Sequence, residues 1–158
     1  VPDLIVTNEE LVVLETEEVI SLIASAEQGP PGPPGLAGLP GGSSLTYPAG
    51  TALGGHRMVL LDATGSAVYA DATDPSHALK VLGMTVGAAV AGYPVDIQTG
   101  GEITEPTWSW DVSLPVFLGA NGLLTQVVPA APSAFSLVVG IPLSPTTLYV
   151  SLREPILI

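Results

Sequence analysis

The chain has no cysteine, which excludes disulfides and thiolate chemistry and leaves its redox compartment open. Basic residues are almost missing as well: Lys and Arg number 3 against 15 Asp and Glu, a formal net charge of −12. A surface of that sign cannot neutralise phosphates, so nucleic-acid partners are not expected, and anionic membrane faces repel it. Long apolar runs are lacking too, despite a mean hydropathy of +0.53. No charge occurs between Asp111 and Arg153, yet Pro115, Gly119, Gly122, Pro129, Pro132, Pro142 and Pro145 interrupt that span. A membrane helix needs roughly 20 largely uninterrupted apolar residues, so none is expected. The first residues also show no basic stretch followed by the apolar core of a signal peptide. Many apolar positions with few charges point instead to a chain that buries surface against its own copies or a larger assembly.

Three regions follow one another. Residues 1–28 form an acidic arm carrying Asp3, Glu9, Glu10, Glu15, Glu17, Glu18 and Glu27 with no base among them. "TNEE" at 7–10 fits a capping box that would start a helix running to Ala26. The β-branched clusters Val12-Val13 and Val19-Ile20 favour extended, strand-like structure instead. Either way the segment has too little core to stand alone and needs sister chains or a partner surface. Its apolar residues Leu11, Val12, Val13, Leu14, Val19 and Ile20 are the candidate anchor.

Residues 29–42, "GPPGPPGLAGLPGG", place Gly29, Gly32, Gly35, Gly38 and Gly41 at every third position, with Pro30, Pro31, Pro33 and Pro34 between them. A triple helix has room only for glycine at its axis, and proline presets the polyproline II conformation. A flexible linker explains the composition but not the strict phase. The expectation is a short collagen-like stem, too brief to hold three chains unaided, clamped by trimeric elements beside it.

Residues 45–158 read as β throughout. Short apolar runs, "RMVLL", "SAVYA", "VLGMTV", "YPVDI", "TWSW", "PVFL", "SLVVGI" and "TLYVS", are separated by turn residues, the pattern of a barrel or sandwich. Asn121-Gly122 is a hairpin turn, since both residues tolerate positive φ. A shift of 57 positions aligns "VLLDATG" (59–65) with "VFLGANG" (116–122) and "VLGMTV" (81–86) with "VVGIPL" (138–143). It also places Pro75-Ser76 on Pro132-Ser133. Two related halves, 54–92 and 111–149, explain the match; convergence of similar hairpins on similar residues is the alternative.

Catalytic signatures are sparse. His56 and His77 lie in no metal-spaced pair, and there is no GxSxG elbow, P-loop or dinucleotide fingerprint. "DATDPSH" (71–77) could hold a divalent cation, but reads more simply as a loop with a turn at Asp74-Pro75. Asp96, Glu102 and Glu105 are the acids a glycan hydrolase would use, although spacing alone gives no geometry. Trp108 and Trp110, two apart on an expected strand, share a face. They form either a sugar-stacking platform or part of the core or a subunit interface. Arg57, Lys80 and Arg153 are expected to pair with acids, within the chain or across a subunit boundary.

The stretch "GGHRMVLLDATGSAVYADATDPSHALKVLGMTVGAAVAGYPVDIQTGGEIT", followed by "VFLGANGLLTQ" and "VVGIPLSPTTLYV", resembles a domain of tailed-bacteriophage virion proteins. The likeness is to capsid decoration proteins (cement proteins and head fibres), with a related domain in phage tail fibres. The resemblance implies a homotrimeric, non-enzymatic component of the virion that binds the major capsid protein on the capsid surface and needs no cofactor or metal. A trimeric tail-fibre adhesin contacting host-surface glycans is the alternative. The expected fold is mainly β: an extended N-terminal arm, a short collagen-like triple helix, and a C-terminal β-barrel or sandwich.

Overall fold

A computed structural model describes residues 42–158. The acidic arm with its anchor candidates Leu11, Val12, Val13, Leu14, Val19 and Ile20, and the stem glycines Gly29 to Gly41 with their prolines, lie outside the described residues. The described part is mainly β, built from antiparallel sheets with no α-helix.

The first sheet contains β1 (Ser44–Pro48), β2 (Met58–Leu61), β3 (Ala67–Tyr69), β4 (Val81–Thr85) and β5 (Pro94–Gln98), in the order β1-β5-β4-β2-β3. The second contains β6 (Gly101–Thr104), β7 (Val116–Leu118), β8 (Leu124–Thr125), β10 (Val138–Ser144) and β11 (Thr147–Val150), in the order β6-β11-β10-β7-β8. A small ribbon pairs β9 (Phe135–Ser136) with β12 (Ile156–Leu157).

The two five-stranded sheets share one topology, and their central registers coincide under the 57-residue shift. Leu61 faces Ala67 in the first, as Leu118 faces Leu124 in the second. Val59 pairs with Gly83 and Leu60 with Val81; Val116 pairs with Gly140 and Phe117 with Val138. Both ladders therefore skip one residue at the same place, Leu82 in one and Val139 in the other, which is a β-bulge.

Side-chain burial follows from where each strand lies. β6 alternates buried and exposed residues along Gly101-Glu102-Ile103-Thr104, as a strand covered on one face does. Met58, Val59 and Leu60 of β2 are all buried, because β2 is covered on both faces. Val59 joins Ala67, Val95 and Ile97 in one cluster. Met58 and Leu60 point the other way, into a larger cluster with Val116, Leu118, Phe135 and Leu148 from the second half. The two sheets thus share a core.

They differ at one seam. After β1, Ala49 makes a parallel bridge to Ala67, and the Gly50 N–H donates to the Ala67 carbonyl at 2.8 Å. The edges β1 and β3 meet there, and the first sheet curls round its own cluster. Among the described residues no bridge joins the corresponding edges β6 and β8.

The runs expected as strands appear as β2, β3, β4, β5, β7, β10 and β11, with one exception. "TWSW" is not a strand: residues 107–110 belong to the connection from β6 to β7. Asn121-Gly122 does lie between paired strands with φ of 52° and 71°, but in a five-residue loop, 119–123, closed by Gly119 N–H donating to the Leu123 carbonyl at 2.7 Å.

Candidate functional site

The open seam is where polar and aromatic side chains collect. Its first wall is the β6–β7 connection. The Glu105 carboxylate accepts hydrogen bonds from the Thr107 N–H at 3.1 Å and the Thr107 hydroxyl at 2.9 Å. With Pro106 between them, these bonds tighten a turn in which the Trp108 N–H donates to the Glu105 carbonyl at 3.0 Å. Further on, the Trp110 N–H donates to the Pro145 carbonyl at 2.8 Å. These anchors bring the two indoles together, with ring centres 5.4 Å apart and planes inclined at 55°. Both are half-buried and pack against the larger core cluster.

The second wall is the segment entering β2. His56 adopts φ 57°, a left-handed conformation that a residue with a Cβ rarely takes. It is held there by hydrogen bonds on each side. The His56 N–H donates to the Thr85 carbonyl at 2.7 Å, and the Arg57 N–H donates to the Thr85 hydroxyl at 3.0 Å. The buried Thr85 hydroxyl in turn donates to the Gly54 carbonyl at 2.7 Å. This turn sets the His56 ring edge-on to Trp108, 5.4 Å between centres, and places Nδ1 3.3 Å from Glu105 Oε2. Arg57 donates to the Asn121 carbonyl at 3.0 Å and lies over the Tyr69 ring.

Together with Leu123 and Leu124 of the β7–β8 hairpin, these residues line an open cleft of about 430 Å³. The Thr107 amide and hydroxyl hold the Glu105 carboxyl below the usual carboxylate range, with His56 adding a smaller effect of the same sign. Trp110 Nε1 is buried with no hydrogen-bond partner among the described residues.

The other candidates are dispersed. Asp96 lies on β5 of the first sheet and is bonded by the Thr46 hydroxyl at 2.6 Å. Glu102 lies on β6, opposite Tyr149. Glu105 is three residues on from Glu102, beyond the end of that strand, and the three acids do not converge as a catalytic set. In 71–77, Asp71 accepts from the Thr73 N–H and hydroxyl and from the Asn121 N–H, while Asp74 caps the short 3-10 turn through Ser76. The His77 Nδ1 accepts the Asp71 N–H at 3.1 Å, and its Nε2 lies 3.5 Å from Asp74 Oδ2. The string is a self-satisfied loop, and no group of three metal-ligating residues occurs among the described residues.

The expectation for the bases fails within the described chain. Its two close contacts between acids and basic nitrogens involve His56 and His77, and none involves Arg57, Lys80 or Arg153. Arg57 is instead committed to a backbone carbonyl and an aromatic face.

Sequence reasoning singled out Trp108, Trp110 and Glu105, but weighed His56 only as a metal ligand and Arg57 only as an ion-pair partner; both reach the tryptophans only through sheet topology. The turn carrying Trp108 did have a visible signal. Asp62-Ala-Thr64, Asp71-Ala-Thr73, Asp74-Pro-Ser76, Glu105-Pro-Thr107 and Asp111-Val-Ser113 are all acid-x-hydroxyl triplets whose acid binds the residue two positions on. Compared with protein-family models and with curated proteins, the chain matches none.

Proposed function

We propose that the chain is a structural virion protein, a homotrimeric capsid decoration protein that binds the outer surface of a phage head and stabilises it. The observation that carries this reading is the amount of large apolar side chain left uncovered on a domain with few charges. Ile141 and Leu143 of β10 and Tyr149 of β11 are exposed on the outer face of the second sheet, with Ile141 directly opposite Tyr149. Leu79 is 86% exposed, Val127 76% and Leu157 71%. A monomeric protein seldom leaves so much apolar surface to water, whereas subunit and docking interfaces are built from it.

The glycine-phased stem supplies the reason for three copies. A trimer seated where capsomers meet would bury these apolar groups across their seams, and binding only the assembled state stabilises that state. Sedimentation equilibrium of the full chain is expected to give three copies; a monomer would overturn the trimer. Gly35→Val is expected to weaken the association, because a triple helix tolerates only glycine at its axis. Immunogold labelling is expected on virion heads, and label confined to tails would overturn decoration in favour of a tail-fibre role.

A further inference from the structure

The seam between β6 and β8 differs from its counterpart in the first sheet in a way that creates a cleft rather than closing one. Leu45 stands opposite Ile97, and Ile103 stands opposite Leu148, so these two residues hold the same place in the two sheets. Four and five residues beyond Leu45 come Ala49 and Gly50, small enough to bring the chain onto β3 and seal the seam. Four and five residues beyond Ile103 come Thr107 and Trp108. An indole thus stands where the first sheet has a glycine, and both tryptophans line the space left open beside Leu123 and Leu124.

From this we infer that the His56–Trp108–Trp110–Glu105 cleft is a binding site for a neutral saccharide, taken up through a pyranose ring. The ring's C–H face is apolar and its rim carries hydroxyls that both donate and accept. The cleft offers the matching surfaces: two inclined indoles as an apolar wall, and a rim of Glu105, His56, Arg57 and Thr107. The Glu105 contact with His56 Nδ1 orients the imidazole and leaves Nε2 without a partner among the described residues. Arg57 uses Nη1 on the Asn121 carbonyl and retains further N–H donors.

The volume lies within the range of small-molecule sites, and the mixture of aromatic wall with a few polar groups is their usual lining. A nucleotide would also stack on indoles, but the Glu105 carboxylate at the rim and the chain's net charge of −12 oppose its phosphate.

The chain's only two tryptophans line this cleft, so intrinsic fluorescence reports its occupancy directly. The full chain is titrated to millimolar concentrations with maltohexaose, cellohexaose, chitohexaose and mannohexaose, with adenosine monophosphate as the contrasting ligand. At least one saccharide is expected to give a saturable change in emission. Trp108→Ala is expected to lower its affinity at least about tenfold, as is Glu105→Gln, whose side chain is isosteric. Glu105→Gln leaves both indoles in place, so it carries the test if Trp108→Ala fails to fold. No saturable change with any saccharide overturns the site, as does unchanged affinity in Glu105→Gln or tighter binding of the nucleotide. Sedimentation of the same sample reads the trimer independently, so failure of one inference is distinguishable from failure of the other.

Discussion

Gly83 and Gly140 occupy the same point in the two sheets, each facing a backbone carbonyl of the neighbouring strand, that of Gln98 for Gly83 and of Tyr149 for Gly140. A Cβ at either position would collide with that oxygen, and a backbone atom cannot swing aside as a side chain can. Gly83→Ala and Gly140→Ala are each expected to lower stability by about 2–3 kcal/mol, the upper part of the range for overpacking. Gly65 is the contrast: its φ is +81° but no atom lies within 4 Å of an added Cβ. Gly65→Ala therefore bears only the backbone cost, about 1 kcal/mol. Denaturant midpoints of the three variants check the ranking; equal losses would mean that the carbonyl contact is not what selects glycine.

These two glycines were among the residues aligned by the 57-residue shift, and they show what a sequence makes legible. Central strands such as β2, β4 and β7 are apolar because they are covered, so their composition announces them; β10 is as apolar although Ile141 and Leu143 are exposed. β1, "SLTYP", and β6, "GEIT", are edge strands with polar outer faces, and neither stands out from the loops around it. "TWSW" misleads for the opposite reason. Its aromatic composition suits a strand, while the Glu105–Thr107 bonds make a turn. The cleft was half legible: two tryptophans two residues apart were conspicuous, but His56 arrives from a segment about 50 residues away, on the other sheet, through packing on a shared core.

Thr85 is a fully buried hydroxyl that determines the shape of the cleft's second wall. It satisfies the Arg57 N–H and the Gly54 carbonyl together, the two ends of the turn that carries His56. Thr85→Val keeps the side chain's shape and leaves both half-buried groups without that partner. The expected loss is about 1–3 kcal/mol, measured by denaturation. Because His56 leans on Trp108, tryptophan emission of the folded variant is also expected to shift. A loss of stability with unchanged emission would place the effect of Thr85 in the core alone.

Gln98 joins the two halves. Its buried amide donates to the Gly100 carbonyl at 3.1 Å and the Glu102 carbonyl at 2.9 Å, bracing the turn from β5 into β6. Gln98→Met removes both bonds at similar volume and is expected to cost about 1–3 kcal/mol. Since Met58 and Leu60 share a cluster with Val116 and Leu118, the two sheets are expected to unfold together even in this variant. Far-ultraviolet circular dichroism, which reads both sheets, and tryptophan fluorescence, which reads the seam, are expected to give coincident transitions. Separated midpoints would show that each sheet folds on its own.

The acid-x-hydroxyl turns make the β-domain sensitive to acid. At Asp62, Asp74 and Asp111 the hydroxyl of the residue two positions on, and at Glu105 the Thr107 N–H, is the largest cause holding the carboxyl below its ordinary range. At Asp71 burial pushes the other way, but the hydrogen bonds from Thr73 and the Asn121 N–H together outweigh it. Each carboxyl is thus more acidic folded than unfolded. Its contribution is complete above the unfolded carboxylate pKa and is lost as pH falls through the folded value. Melting temperature is therefore expected to stay level from about pH 7 to pH 5 and to fall steadily below about pH 4. Thr73→Val, which removes a hydroxyl donor to Asp71, is expected to lower stability at neutral pH and to narrow its difference from the parent chain in acid. A difference that stays constant across the pH range would show that the Thr73 hydroxyl does not act through the charge of Asp71.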